Sequence, residues 1–255
     1  MKQIPNLFTL LNLVFGCLAI VVALQNGIMI IKAEDGTEEL VQLPEKIWMA
    51  SLFIGLAAVV DFLDGFLARL LGADSAMGKQ LDSLADIVSF GVAPSVILYQ
   101  FLRLGYAAEP DGIETSIGYL VPSFLFAAAG AWRLARYNID TTQTNSFRGV
   151  PIPAAGLMVA SFPLIYWYSS HDWARELLLN VYFIYGIIVI LSLLMVSRLP
   201  MLAFKFRSTK IADLLPLIII AAVGVASAIF LQWLAVPVTF LAYVLISLLF
   251  KNKFA

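Results

Sequence analysis

The chain has 255 residues, of which 61% are hydrophobic and 13% charged, with a mean hydropathy of +0.91. A water-soluble domain of this length would need far more polar surface, and a disordered or fibrous chain would not be this apolar. Sixteen Lys and Arg against seventeen Asp and Glu leave a formal charge of −1, without the basic excess of a nucleic-acid binder.

Apolar runs of the length a bilayer requires, about 20 residues each, recur about eight times. They fall at 7–31, 47–71, 82–103, 117–137, 152–169, 176–198, 212–232 and 235–250. The expected fold class is all-α, a polytopic integral membrane helical bundle of about eight transmembrane helices forming a single domain over 1–255. The first run lacks the small-residue cleavage site of a secretory signal, and Asn6, Thr9 and Asn12 interrupt its start, so it is expected to stay as a helix. The last run is the shortest. A single cysteine, Cys17, cannot form an intrachain disulfide, and a single histidine, His171, cannot anchor a His/Cys zinc site.

Alternate connections differ in basic content. One side collects Lys2, Arg69, Lys79, Arg133, Arg136, Arg148, Arg198, Lys205, Arg207, Lys210, Lys251 and Lys253, and the other only Lys32, Lys46, Arg103 and Arg175. Loops rich in Lys and Arg stay in the cytoplasm. Both termini are therefore expected on the cytoplasmic side of the cell membrane, with the acidic Glu34, Asp35, Glu38 and Glu39 in a solvated external loop.

In the second and third runs, 58–90 reads AVVDFLDGFLARLLGADSAMGKQLDSLADIVSF. Four carboxylates stand at the cytoplasmic ends of otherwise apolar helices, where charge is expensive and usually functional. Asp61 and Asp64 are spaced i,i+3 and Asp82 and Asp86 i,i+4, so each pair projects from one helix face. The turn near Gly72 to Ala76 lets the two faces meet. Four such groups repel strongly at low dielectric, so either protons or cations must sit among them. Hard oxygen ligands suit Mg²⁺, Mn²⁺ or Ca²⁺, and two ions about 3.5–4 Å apart can clamp a phosphoryl group. Salt bridges to Arg69 and Lys79 are the structural alternative, but two cations cannot neutralise four carboxylates. Helix capping explains one carboxylate at most. An ion- or proton-coupled transporter would spread carboxylates toward the midplane and show hydropathy symmetry between halves, neither of which is visible here.

The spacing Asp61-x2-Asp64-Gly65-x2-Ala68-Arg69-x8-Gly78-x3-Asp82-x3-Asp86 resembles the signature of the CDP-alcohol phosphotransferases, matching eight positions across 26 residues. Members of that family are membrane enzymes that move a phosphatidyl or similar group from a CDP-linked donor to an alcohol. The resemblance implies two divalent ions, Mg²⁺ or Mn²⁺, with Asp61, Asp64, Asp82 and Asp86 as metal ligands and Asp86 also as general base. It implies that Gly65, Ala68, Arg69, Gly78 and Asp82 line the CDP site. The residue types suit that role: Gly65 and Ala68 let a ligand approach the helix, although small residues in membrane helices also serve plain packing, and Arg69 offers a fork of donors to phosphate.

Three further segments and the amino end, IPNLFTLLNLVFGCLA, are similar to the phosphatidylserine synthase branch of the family: RLARYN at 133–138, FRGVPIPAAG at 147–156 and SRLPMLAFK at 197–205. By that likeness Thr9 and Asn12 help to hold the nucleotide, although helix capping is the open alternative. Arg133, Arg136 and Arg148 suit a substrate carboxylate or phosphate, but ordinary positive-inside arginines would look the same. Phe147, Gly149, Pro151 and Pro153 read as a rigid turn.

The resemblance implies a catalytic core over about 1–198, two additional helices at about 212–250, and a homodimer. It further implies a donor, CDP-diacylglycerol, and an acceptor, L-serine, with glycerol 3-phosphate or an inositol phosphate as acceptors the same motif would serve. His171, with Asp172 and Arg175, reads as a loop residue on the external side. Lys205, Arg207 and Lys210 form a basic connection that orients the chain or attracts anionic headgroups. The Trp and Tyr residues around 166–183 and Trp233 fit an interfacial belt.

Overall fold

A computed structural model of the chain describes residues 4–25, 29–32, 38–41, 45–72, 75–108, 115–139, 147–202 and 211–250. Helices dominate, because a segment in hydrocarbon must satisfy its own backbone groups. In chain order they are α1 (Ile4–Leu24), α2 (Trp48–Leu71), α3 (Ala76–Asp86), a π-helical turn (Ile87–Val92), α4 (Ala93–Ala107) and α5 (Ile117–Leu120), which runs through a 3₁₀ turn into α6 (Leu125–Ile139). Next come α7 (Ile152–Tyr168), α8 (Asp172–Leu179), α9 (Val181–Val196), α10 (Ile211–Leu231) and α11 (Ala235–Leu249). Two small antiparallel ladders complete the described structure: β1 (Met29–Lys32) with β2 (Glu38–Val41), and β3 (Phe147–Arg148) with β4 (Pro200–Met201).

Among the described residues, five helical stretches are long and apolar enough to cross a membrane, and six if α8 and α9, bent by 77°, count as one span; α7 is a shorter apolar helix. The last stretch, Leu214–Leu249, folds back at Gln232–Leu234, so that Gly224 of α10 faces Thr239 of α11. The protein is thus a polytopic helical membrane protein, but five or six described stretches rather than eight have the length and hydropathy of a span, the run expected at 176–198 is broken by the bend at Asn180, and two rod boundaries differ from those expected. The reading that carries the first helix to residue 31 overshoots: α1 ends at Leu24, just before the polar Gln25-Asn26-Gly27, and Met29–Lys32 pairs with Glu38–Val41. The third rod begins at Ala76 rather than 82, so Asp82 and Asp86 lie inside a helix and not at its start. Glu34, Asp35, Lys205, Arg207 and Lys210 lie outside the described residues.

The core gathers around α4, whose Ile97, Leu98, Phe101 and Leu102 are fully enclosed with Phe90, Phe126, Ile152 and Ile188. Lipid offers no hydrophobic drive for helix association, so close packing and interhelical hydrogen bonds hold the bundle. Gln100 of α4 donates through Nε2 to the Ala23 carbonyl of α1 at 2.6 Å. Gly16 of α1 meets the π turn so closely that a Cβ there would lie 2.8 Å from the Cα of Ser89.

The π turn follows from Pro94. Proline has no N–H to bond the carbonyl four residues back and its ring crowds that carbonyl, so the helix widens just before it. The freed carbonyl, that of Phe90, points at Gly156 of α7, where a side chain would stand 2.7 Å from the oxygen.

Candidate active site

Two helix ends and a turn bring the aspartates together. α2 stops at Gly72, whose left-handed backbone (φ 56°, ψ 37°) lets its N–H bond back to the Ala68 and Arg69 carbonyls. α3 starts at Ser75, whose hydroxyl accepts the Gly78 N–H at 2.9 Å. The Asp61/Asp64 face of α2 meets the Asp82/Asp86 face of α3. Carboxylate oxygens of Asp61, Asp64 and Asp82 all lie within 4.8 Å of one another. Asp86 sits one turn deeper, 7% exposed, within hydrogen-bonding reach of Asp61.

α1 closes the group from the other side. Thr9 donates through its hydroxyl to Asp64 Oδ2 at 2.7 Å, and Asn12 Nδ2 reaches Asp86 Oδ1 at 3.5 Å. The Ser89 hydroxyl from the π turn donates to the Asn12 carbonyl at 2.9 Å, fixing that contact. Both Thr9 and Asn12 are buried, and Asn12 Oδ1 has no partner among the described residues. Neither side chain caps α1 at a membrane surface; both turn inward to the carboxylates.

The alternative of internal salt bridges fails on geometry. Lys79 donates instead to the Asn138 carbonyl at 3.3 Å and lies 5.7 Å from the centroid of the Tyr137 ring. Arg69 is exposed, its guanidinium lying over Gly65. Three clustered carboxylates with no ion-pair partner among the described residues, and an orphaned buried amide oxygen beside the fourth, form an all-oxygen donor set that fits hard divalent cations.

Beside the cluster opens a cavity of about 670 Å³. Among its walls are Thr9, Asp64, Gly65, Ala68, Arg69, Gly78 and Asp82. Reading the sequence for chemistry passes over Asn6, Ser75 and Tyr137, which also line it, and treats Lys79 only as a salt-bridge partner. The spacing of Asn6, Thr9 and Asn12 every three residues on α1 is the signal that could have found the first of these. Gly78 is small for a local reason: a Cβ there would stand 3.1 Å from Ser75 Oγ and 3.2 Å from Asn6 Oδ1.

The three arginines occupy different settings. Arg133 of α6 is 6% exposed, its Nε has no partner among the described residues, and its charge is felt by Asp86, Tyr137 and Tyr243. Arg136 donates to the Val196 and Ser197 carbonyls at 2.8 and 2.9 Å, closing the end of α9. Arg148 is exposed on β3, just before Gly149, whose φ of +78° and lack of Cβ let the turn press on the Met195 and Ser197 carbonyls. His171 lies beside Trp173 at the head of α8, near the Asp172–Arg175 ion pair of 3.5 Å.

Comparison with known proteins agrees with the motif. The profile of the CDP-alcohol phosphatidyltransferase family matches residues 2–197. The chain is 38% identical over 162 residues to the CDP-diacylglycerol–serine O-phosphatidyltransferase of Helicobacter pylori (strain J99), covering 62% of this chain and 62% of that protein. It is 35% identical over 164 residues to the protein of that name from Bacillus subtilis (64% and 77%) and 31% identical over 201 residues to that from Mycobacterium leprae (76% and 62%). The match to the Helicobacter protein thus spans less than two thirds of its length. With the eight-position aspartate motif folded into one site inside the matched region, the chain belongs to the CDP-alcohol phosphatidyltransferase family.

Proposed function

We propose that the protein transfers the phosphatidyl group of CDP-diacylglycerol to the hydroxyl of L-serine, giving phosphatidylserine and CMP. The observation that carries this reading is the cavity of about 670 Å³ that joins Gly65, Ala68, Arg69 and Gly78 to the aspartate cluster. The names of the similar proteins support the choice of donor and acceptor.

The CDP head enters the polar cavity while the acyl chains stay in lipid between helices. Gly65 and Ala68 leave room for the diphosphate against the α2 backbone, and Arg69 donates to its oxygens. Asp61, Asp64, Asp82 and Asp86 are the ligands that would hold two divalent ions, Mg²⁺ or Mn²⁺, whose charge neutralises the diphosphate and favours departure of CMP. Thr9 orients the Asp64 carboxylate, and Asn12 that of Asp86. Asp86 takes the proton of the serine hydroxyl, the serine oxygen bonds to the lipid-side phosphorus, and the bond from that phosphorus to the CMP oxygen breaks. Arg133, buried with an unused donor, holds the acceptor carboxylate with Arg148 near the entrance; Arg136 supports the end of α9 beside them.

The test is CMP release from CDP-diacylglycerol by purified protein in detergent, with L-serine, glycerol 3-phosphate or inositol phosphate supplied in turn, each with and without Mg²⁺ or Mn²⁺. Metal-dependent release with serine alone is expected. Release with another alcohol instead would replace the acceptor and keep the site, and release with none would remove the transfer reading.

A further inference from the structure

α10 and α11 lie beyond residue 197, where the family match ends, yet α11 reaches back to the acceptor side of the site. Tyr243, 4% exposed, donates its phenol hydroxyl to the Leu202 carbonyl at 3.2 Å. The Leu202 N–H donates to Ser247 Oγ at 3.3 Å, and the Ser247 hydroxyl donates to the Tyr243 carbonyl one turn back at 2.7 Å. Both backbone groups of Leu202 are therefore held by two hydroxyls at i,i+4 on one face of α11. Polar groups at such a place in an apolar helix call for a partner, and here the partner is a loop.

That loop is the other half of the Arg148 strand. Leu202 directly follows β4, in which Pro200 pairs with Arg148 and Met201 with Phe147. A ladder of two residues, one of them a proline without an N–H, does not hold itself together. It is steadied by the Gly149 N–H donating to Leu199 O at 2.8 Å and the Val150 N–H donating to Leu194 O at 3.1 Å. From α6, Arg136 grips the Val196 and Ser197 carbonyls. The segment 194–202 is thus clamped on three sides, by α6, by the 147–150 turn and by α11. The same Tyr243 ring stands within electrostatic reach of Arg133, itself in the field of Asp86.

We infer that Tyr243 and Ser247 are positioning residues for the acceptor: by holding Leu202 they fix β4, and through β4 the strand that presents Arg148. This rests on the transfer reading above. The two added helices then set how firmly the acceptor is held, while the donor and metal site is built by α1, α2, α3 and Tyr137 of α6 without them.

The experiment uses full-length protein with Tyr243→Phe, Ser247→Ala and Ser247→Thr. Each hydroxyl removed is expected to raise KM for the acceptor about threefold to tenfold, the range of a lost neutral hydrogen bond. KM for CDP-diacylglycerol and the metal concentration for half-maximal rate should stay at wild-type values, and Ser247→Thr should restore the acceptor KM. Amide hydrogen exchange without substrate gives a second readout: the Gly149 and Val150 amides should exchange faster in Ser247→Ala although their own partners are untouched. Unchanged acceptor KM with unchanged exchange, or equal losses for donor and acceptor, would overturn the inference. If wild-type protein turns over an alcohol other than serine, KM for that alcohol is the readout. Should it turn over none, the transfer reading falls, and exchange at 149–150 alone decides whether α11 governs this turn.

Discussion

Thr9 and Asn12 reach the carboxylates from a helix that carries no charge of its own. A hydrogen bond to a charged acceptor contributes about 1.5–3 kcal/mol, so Thr9→Val, which keeps the shape and removes the donor, should raise the metal requirement and the donor KM together by roughly tenfold or more. Thr9→Ser should retain most of the wild-type behaviour in the same titrations. Asp86→Asn is expected to abolish turnover by at least a hundredfold while donor binding, followed by equilibrium dialysis of labelled CDP-diacylglycerol, persists. Wild-type CMP release by that variant would remove Asp86 from the proton transfer. Arginine 136 shows where residue-level reading stops. Three arginines look alike in sequence, yet Arg136 is committed to the Val196 and Ser197 carbonyls 60 and 61 residues away and Arg133 is enclosed, and both settings are made by tertiary packing.

At the scale of elements, the motif was legible because helical period puts i,i+3 and i,i+4 carboxylates on one face and a glycine-ended turn folds two such faces together. The apolar runs were legible for the same kind of reason, since lipid permits few other structures. What was not legible is which helices touch. The Gly16–Ser89 crossing, which seats Asn12 on Asp86, joins residues 73 apart, and Gly16 is one glycine among sixteen. Gly16→Val should push α1 off the π turn at a cost of about 1–3 kcal/mol. The expected result is a lower unfolding temperature in detergent together with a loss of activity beyond the loss of folded protein, because Asn12 withdraws from the site. Gly55, by contrast, has open space around its Cβ position, so Gly55→Ala, two turns into α2, should leave both measurements at wild-type values.

For the whole molecule, an acidic cluster with no ion-pair partner among the described residues makes folding and the proposed metal binding a linked pair. A ligand at a hundred times its dissociation constant stabilises the folded state by about 2.7 kcal/mol. Saturating Mg²⁺ or Mn²⁺ should therefore raise the unfolding temperature of wild-type protein by several degrees, chelation should reverse it, and Asp61→Asn or Asp64→Asn should blunt the response. The charge asymmetry of the loops makes a separate prediction. With Cys17 replaced by Ala, a cysteine at Ser116, before the fourth stretch, should react with a membrane-impermeant maleimide in intact cells, whereas one at Ser75, at the start of the third, should react only after the membrane is opened. The reverse pattern would invert the molecule and place the aspartates outside.

The widened turn at Ile87–Val92 ties these scales together through geometry alone. Each residue in a helix advances the azimuth by about 100°, so the surplus residue in that turn sets the rotational phase of α3 relative to α4. Deleting one residue there would leave a helix of nearly the same length, still apolar enough to span the bilayer. It would, however, swing Asp82 and Asp86 by more than a quarter turn, away from α2 and α1. Loss or gain of a single codon at this one place thus acts as a clutch, disengaging two of the four carboxylates while the membrane anchor keeps its form.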